Sequence, residues 1–290
     1  MIGAQVLLRT LLASGVDTCF MNPGTSEMHF VAALDDVPAM RSVLALFEGV
    51  AAGAADGYGR MSGRPAATLF HLGPGFGNAV ANLHNARRAR TPLVAVVGDH
   101  ATYHQRYDAP LQSDIETLAR NVSTSVIRPE GTSTLGSDAA RAVAAARQPL
   151  GGVSTLILPA DISWTDDPDA APASPAAPSV GISPDPGEVS RVAGALRSGA
   201  PAAFLIGGAA TTGDGLLVTA GLAERHGARV WCETFPARLA RGAGRPDVPR
   251  LAYLAEVASA QLDGLAHLVL VGAPSPVSFF AYPGRPSDLV

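Results

Sequence analysis

The feature that most constrains this chain is a rhythm. Short stretches that are apolar on consecutive residues, such as LVAVV at 93–97, recur between longer stretches with helical spacing. A strand with one wet face alternates apolar and polar residues, whereas a run apolar throughout needs cover on both faces. The pattern predicts strands over 17–21, 42–47, 66–71, 93–98, 124–127 and 153–158, with helices over 4–13, 27–34, 49–61, 77–88 and 138–147. Such alternation specifies an α/β fold, an open parallel sheet covered by helices on both faces.

The rhythm breaks once. DDPDAAPASPAAPSVGISPDP, residues 166–186, holds six prolines and almost no large apolar side chain, so it is expected to be an extended linker. Residues 1–165 are then one domain and 187–290 a second. In the second, helices are expected over 188–196, 216–226 and 251–262, and strands over 202–206, 228–231 and 267–271. This second domain has a truncated, Rossmann-like pattern: after the last strand comes SFFAYPGRPSDLV, aromatic and turn-like, with no closing helix or strand.

Bulk properties remove several function classes. A net charge of −4 and an isoelectric point near 5.9 do not suit a phosphate-covered partner such as a nucleic acid. The basic run Arg87, Arg88 and Arg90 falls at a helix end, where cations complement the helix dipole. Cys19 and Cys232 make no metal-ligand pattern and are expected as buried free thiols. Arg9 and Asp17 interrupt any signal-peptide plan, and no stretch approaches the ~20 apolar residues of a membrane span, so a cytoplasmic protein is expected.

Chemistry gathers in the strand-to-helix loops of the first domain. NPGTSE at 22–27 offers a tight Pro23-Gly24 turn, with Ser26 and Glu27 able to start a helix. In open α/β sheets such loops lie where ligands bind. HLGPGFGN at 71–78 has glycines that let backbone approach a ligand, yet Asn78 stands where a G-x-G-x-x-G dinucleotide loop needs glycine, leaving Asp99 as the remaining support for a nucleotide site. His100 and His104, four apart in DHATYHQRYD, could bind a metal on a helix, but their position just after a strand favours a loop over a site. In LALFEGVAAG, Glu48 follows four apolar residues. A carboxylate in apolar surroundings is costly unless something meets it.

These motifs, in this order, resemble the pyrimidine-binding domain of thiamine-diphosphate-dependent 2-keto acid enzymes, of the acetolactate synthase large subunit and benzoylformate decarboxylase type. The resemblance rests on NPGTSE, FEGVAAGAADGYGRMSGRPA and HLGPGFGN followed by a helix and TPLVAVVGD; ETFPARLARGAG at 233–244 is similar to the family's middle domain. It implies that Glu48 meets N1′ of the cofactor's aminopyrimidine and that Pro23, Gly24, Thr25, Gly73, Pro74, Gly75 and Asn78 line the cofactor. It also implies a catalytic role for His71, beside the substrate. The implied reaction decarboxylates a 2-keto acid through a C2 ylid and an enamine, which then attacks a second carbonyl or is protonated.

Within that family the features divide. His71 and Thr25 are similar to the decarboxylase, and Gly73-Pro74-Gly75 to the synthase. The synthase's Asp-Ala-Phe-Gln-Glu appears altered at 108–112, and Phe280 or Ala281 stands where the decarboxylase has a second histidine. The family holds the diphosphate and Mg²⁺ on a separate domain by Gly-Asp-Gly and a later Asn. Gly213-Asp214-Gly215 lies instead in the second domain, and no Asn follows Asn121, so no metal ligand is assigned and that domain is expected to be absent. The resemblance implies a homodimer or homotetramer, or a separate chain bearing the diphosphate site, and a chain inactive on its own. FAD in the second domain is permitted by Gly207-Gly208 but not indicated. A non-catalytic regulatory or scaffold homologue is the different-class alternative, and retained Glu48 weighs against it.

Overall fold

The structure, a computed structural model, describes residues 1–149, 151–177 and 183–290, in two compact units, Met1–Gly181 and Ile182–Val290. The first unit runs α1 (Gly3–Ala13), β1 (Thr18–Asn22), α2 (Met28–Ala33), β2 (Arg41–Leu44), α3 (Glu48–Ser62), β3 (Ala66–Phe70) and α4 (Leu72–Arg88). It continues with β4 (Leu93–Asp99), α5 (Ile115–Arg120), β5 (Ser125–Ile127), α6 (Leu135–Ala146), β6 (Val153–Pro159) and α7 (Ala160–Trp164). The six strands form one parallel sheet in the order β2-β1-β3-β4-β6-β5.

Burial explains the apolar runs. Every residue of β3, β4 and β6 is buried. Successive side chains point to opposite faces. Val94 and Val96 therefore join Leu8, Leu11, Phe30 and Leu135 on one side, while Leu93, Ala95 and Val97 join Ala52, Phe76 and Leu83 on the other. Phe30, Phe70 and Phe76 are fully buried, each stabilising the unit by about 1.5–3 kcal/mol on transfer grounds.

Several boundaries differ from expectation, each for a local reason. The helix expected from 77 begins at Leu72: Pro74 sits in the first turn, where a missing N–H costs nothing. The reversal from strand to helix is made by Leu72, whose φ of 51° is a strained value for a residue with a side chain. The strand expected over 42–47 ends at Leu44, and Leu44, Leu46 and Phe47 are exposed, not buried. α5 and α7 are too short to leave a periodic signal; α5 is fixed by Asp114, whose side chain accepts the Thr117 N–H.

The Pro/Ala-rich stretch does not leave the first unit at once. Asp166 bridges Ile2 and pairs with the N-terminal ammonium, and the Ala173 N–H donates to Thr10 Oγ1 at 3.1 Å. Residues 178–182 of the expected linker lie outside the described residues.

The second unit contains α8 (Pro186–Arg197), β7 (Ala202–Ile206), α9 (Gly213–His226), β8 (Arg229–Cys232), α10 (Ala255–Leu262) and β9 (His267–Val271). Its sheet is parallel, in the order β8-β7-β9. The helix expected from 251 begins at Ala255, because Leu251 is still extended and donates its N–H to Cys232 O at 2.8 Å. Gly213-Asp214-Gly215 is the first turn of α9. Gly207 lies against the backbone of Gly272 and Ala273, so the close approach of the β7 and β9 ends accounts for glycine there.

Burial pushes the Cys19 thiol up to about 12; burial and then the charge of Glu233 push Cys232 up to about 11, and both cysteines are free. Among the described residues no helix is long and apolar enough to cross a membrane.

Candidate functional site

Sheet order selects the place. From β1 the chain turns to β2 on one side, while β3 pairs on the other. The carboxyl ends of β1 and β3 therefore form a topological switch point, the crevice where open α/β sheets bind ligands. NPGTSE follows β1 and HLGPGFGN follows β3, so both loops are delivered there.

Glu48 is the first residue of α3 and is buried at 7 % exposure. A carboxylate at a helix start is favoured by the dipole. Its Oε2 accepts from Asn78 Nδ2 at 3.0 Å, nearly two turns into α4. Its Oε1 faces Gly75: a Cβ there would lie 2.8 Å from Oε1 and 3.3 Å from the Cβ of His71. Glu48 Oε1 and the Cβ of His71 thus both pack against Gly75, where a side chain has no room.

The second half of the site is a pair that sequence reading missed. Glu27 was expected only to help start a helix, yet its side chain is wholly buried. Its Oε2 accepts from Gly24 N at 2.8 Å and meets His71 Nδ1 at 2.8 Å. Its Oε1 has no hydrogen-bond partner among the described residues. Gly24 and Gly98 make the room: a Cβ at Gly24 would lie 2.3 Å from His71 Nδ1, and one at Gly98 would lie 1.8 Å from Glu27 Oε1. The available signal was Gly98, a glycine inside an otherwise apolar strand, which marks a close approach.

The other expected site residues divide. Gly24, Glu48, His71, Gly75 and Asn78 come together at the switch point. Gly73 packs on Ser113, where a Cβ would lie 2.2 Å from the serine's, and Pro74 shapes the first turn of α4. Pro23 follows β1 directly, and Thr25 opens onto a cavity of about 320 Å³ lined also by Ser26, His29, His100, His104 and Trp164.

The two other candidates are occupied by structure. Asp99 is buried and accepts from His100 N, Gln105 Nε2 and Arg128 Nη1, the last at 2.7 Å, so its carboxylate holds a loop and offers nothing to a ribose. His100 and His104 stand ring to ring at 5.7 Å, and among the described residues no group of three or more His, Cys, Asp or Glu is placed to hold a metal.

Glu48 thus sets one oxygen against Gly75, and its sequence neighbours Leu46, Phe47 and Val50 are apolar and exposed. Residues 1–121 match the family description "Thiamine pyrophosphate enzyme, N-terminal TPP binding domain". A Mycobacterium tuberculosis protein, provisionally named acetolactate synthase large subunit IlvX, is 62% identical over all 290 residues, which are 55% of its length. A benzoylformate decarboxylase of Pseudomonas aeruginosa is 42% identical over 85 residues, 29% of this chain and 16% of its own. In fold, a Rhodococcus jostii RHA1 thiamine diphosphate-dependent 4-hydroxybenzoylformate decarboxylase superposes with a TM-score of 0.86 at 24% identity, over 98% of this chain and 54% of that one. The chain therefore spans about half the length of these full-length relatives. Residues 1–121 are thus similar to the N-terminal TPP binding domain of the thiamine pyrophosphate enzymes.

Proposed function

We propose that this chain supplies the aminopyrimidine half of a thiamine diphosphate site in an acetolactate-synthase-type enzyme that decarboxylates a 2-keto acid and joins the product to a second carbonyl. The observation that carries the reading is Glu48: a buried carboxylate, held by Asn78 through one oxygen, with the other lying against Gly75, where no side chain has room. A carboxylate so placed can share a proton with a ring nitrogen and bias the ring's tautomer. When bound, thiamine diphosphate supplies an electron sink for loss of CO₂.

The chain's own residues then have separate tasks. Glu48 holds a proton at the pyrimidine nitrogen, and Asn78 keeps its carboxylate turned to that place. Gly24 makes room for the His71 ring and Gly75 for the Glu48 carboxylate, with Pro23, Thr25, Gly73 and Pro74 shaping the surrounding backbone. His71 gives or takes a proton at the substrate end. The diphosphate and Mg²⁺ need hard oxygen ligands, which this reading places on another polypeptide segment or subunit. The exposed apolar rim beside Glu48 (Leu44, Leu46, Phe47 and Val50) is a surface such a segment or subunit can cover. The chain by itself is then expected to bind the cofactor weakly and not to turn over.

The test is deuterium exchange at C2 of thiamine diphosphate, with Mg²⁺, in the assembled enzyme. Glu48→Gln keeps the shape and removes the proton-sharing carboxylate. Exchange is expected to fall by about 10²–10⁴-fold with assembly intact; an unchanged rate refutes the reading. His71 favours a second reading, a benzoylformate-decarboxylase-like enzyme that protonates and releases an aldehyde, because a histidine held by Glu27 stands at the same switch point as Glu48. Product analysis on pyruvate and benzoylformate separates them: 2-hydroxyketones support ligation, and aldehyde alone supports simple decarboxylation.

A further inference from the structure

The Glu27–His71 pair has no explanation in stability. A buried carboxylate whose Oε1 lacks a partner among the described residues costs free energy, and most buried polar atoms in folded proteins are satisfied. A cap for the Gly24 turn needs no such cost, because a short exposed side chain would accept the same N–H. Two glycines on different elements, Gly24 and Gly98, leave room for this one arrangement.

We propose that Glu27 is a positioning residue that fixes the ring orientation and tautomer of His71. This rests on the reading of His71 as the proton-handling group. Glu27 Oε2 already accepts from Gly24 N, so it acts as an acceptor toward His71 as well, and the proton of a neutral ring sits on Nδ1. Nε2 is then the ring nitrogen with a free lone pair, the one available to a ligand. When Nε2 takes a proton from a donor, the ring becomes an imidazolium whose charge lies 2.8 Å from the carboxylate; returning that proton restores the starting state. The contact at Nδ1 also fixes the ring's orientation, since a half-turn of the ring would put Cδ2 where Nδ1 stands and lose the bond to Glu27; the absence of a side chain at Gly24 leaves room for the ring there.

Nitrogen-15 NMR of labelled imidazoles in the purified chain tests this without needing turnover, with the His71 signals assigned by their loss in His71→Gln. The expected spectrum places Nδ1 in the protonated range and Nε2 in the lone-pair range. Glu27→Gln removes the charge and should give a mixture of tautomers. Should that variant not fold, Gly98→Ala displaces the carboxylate by the strand's own methyl group and should give the same mixture. A wild-type ring protonated on Nε2, or a folded variant that keeps the wild-type tautomer, overturns the proposal. In the assembled enzyme, Glu27→Gln should lower kcat by at least about tenfold and leave KM nearly unchanged. A fully active His71→Gln enzyme would sink the catalytic reading of His71, while the NMR result alone decides whether Glu27 sets the tautomer.

Discussion

The two ends of the six-stranded sheet make an instructive pair. Each carries a carboxylate network beside a cavity, and the cavities are nearly equal, about 320 Å³ at the carboxyl end and about 330 Å³ at the amino end. Their chemistry differs. At the amino end Asp17 accepts from Thr18, Tyr58 and Arg64, is 43% exposed, and Arg64 also donates to Tyr58. That network is wet and closed on itself. At the carboxyl end Glu27 and Glu48 are buried, each has an oxygen without a hydrogen-bond donor among the described residues, and those oxygens lie against Gly98 and Gly75. A satisfied surface network is what stability alone selects; unspent, buried polar capacity is what a ligand site needs.

The contrast is broken most directly by Glu48→Gln. Its cost should fall on chemistry, the 10²–10⁴-fold loss of exchange given above, while the melting temperature stays level or rises. A large fall in melting temperature would make Glu48 a structural residue like Asp17. Next in size is Gly75→Ala. The new methyl group would lie 2.8 Å from Glu48 Oε1, the movable end of a flexible side chain, so the fold yields cheaply and the carboxylate turns away. Thiamine diphosphate affinity should weaken by roughly tenfold or more, about 1.4 kcal/mol, with the circular dichroism spectrum unchanged. Unchanged affinity would mean that the seating of Glu48 on Gly75 is not part of the site. Asn78→Ala comes third: it frees Oε2 and should reduce the exchange rate less than Glu48→Gln does, because the carboxylate stays and only its orientation loosens.

How much of this was legible follows from how far each signal travels along the chain. The strands were readable because a fully buried parallel strand leaves its mark on consecutive residues, as in LVAVV. Glu48 was readable through its setting, an acid between an apolar run and a small-residue helix. Glu27 was not. Its burial depends on Gly98, and its partner His71 is 44 residues away, so no local window holds both. The early start of α4 was hidden for a related reason: Gly-Pro-Gly spells a loop, yet a first helical turn tolerates the same residues. Asp99 misled in the opposite direction, since its partner Arg128 is distant and turns a candidate ligand group into a brace.

The smallest effect belongs to the amino end, and its sign is fixed by linkage. Burial acts most strongly on Asp17 and opposes ionisation, but hydrogen bonds from Thr18, Arg64 and Tyr58 together outweigh it and hold its carboxyl below the ordinary 3.8. A carboxyl lowered in the folded state contributes stability that is fully present above 3.8 and disappears as pH falls through the lower folded value. Asp17→Asn should therefore be slightly less stable than wild type at neutral pH and converge with it in acid. The group is 43% exposed and the pair is screened, so the difference at neutral pH should stay within the ~0–1 kcal/mol of surface ion pairs and shrink further in high salt. C2 exchange in the assembled enzyme should not change, because the amino ends of the strands point away from the switch point. Urea unfolding at several pH values, run beside the exchange assay, measures both. A loss of exchange in Asp17→Asn at full stability would couple the two ends of the sheet and remove the distinction between a network that holds the fold and one that serves a ligand.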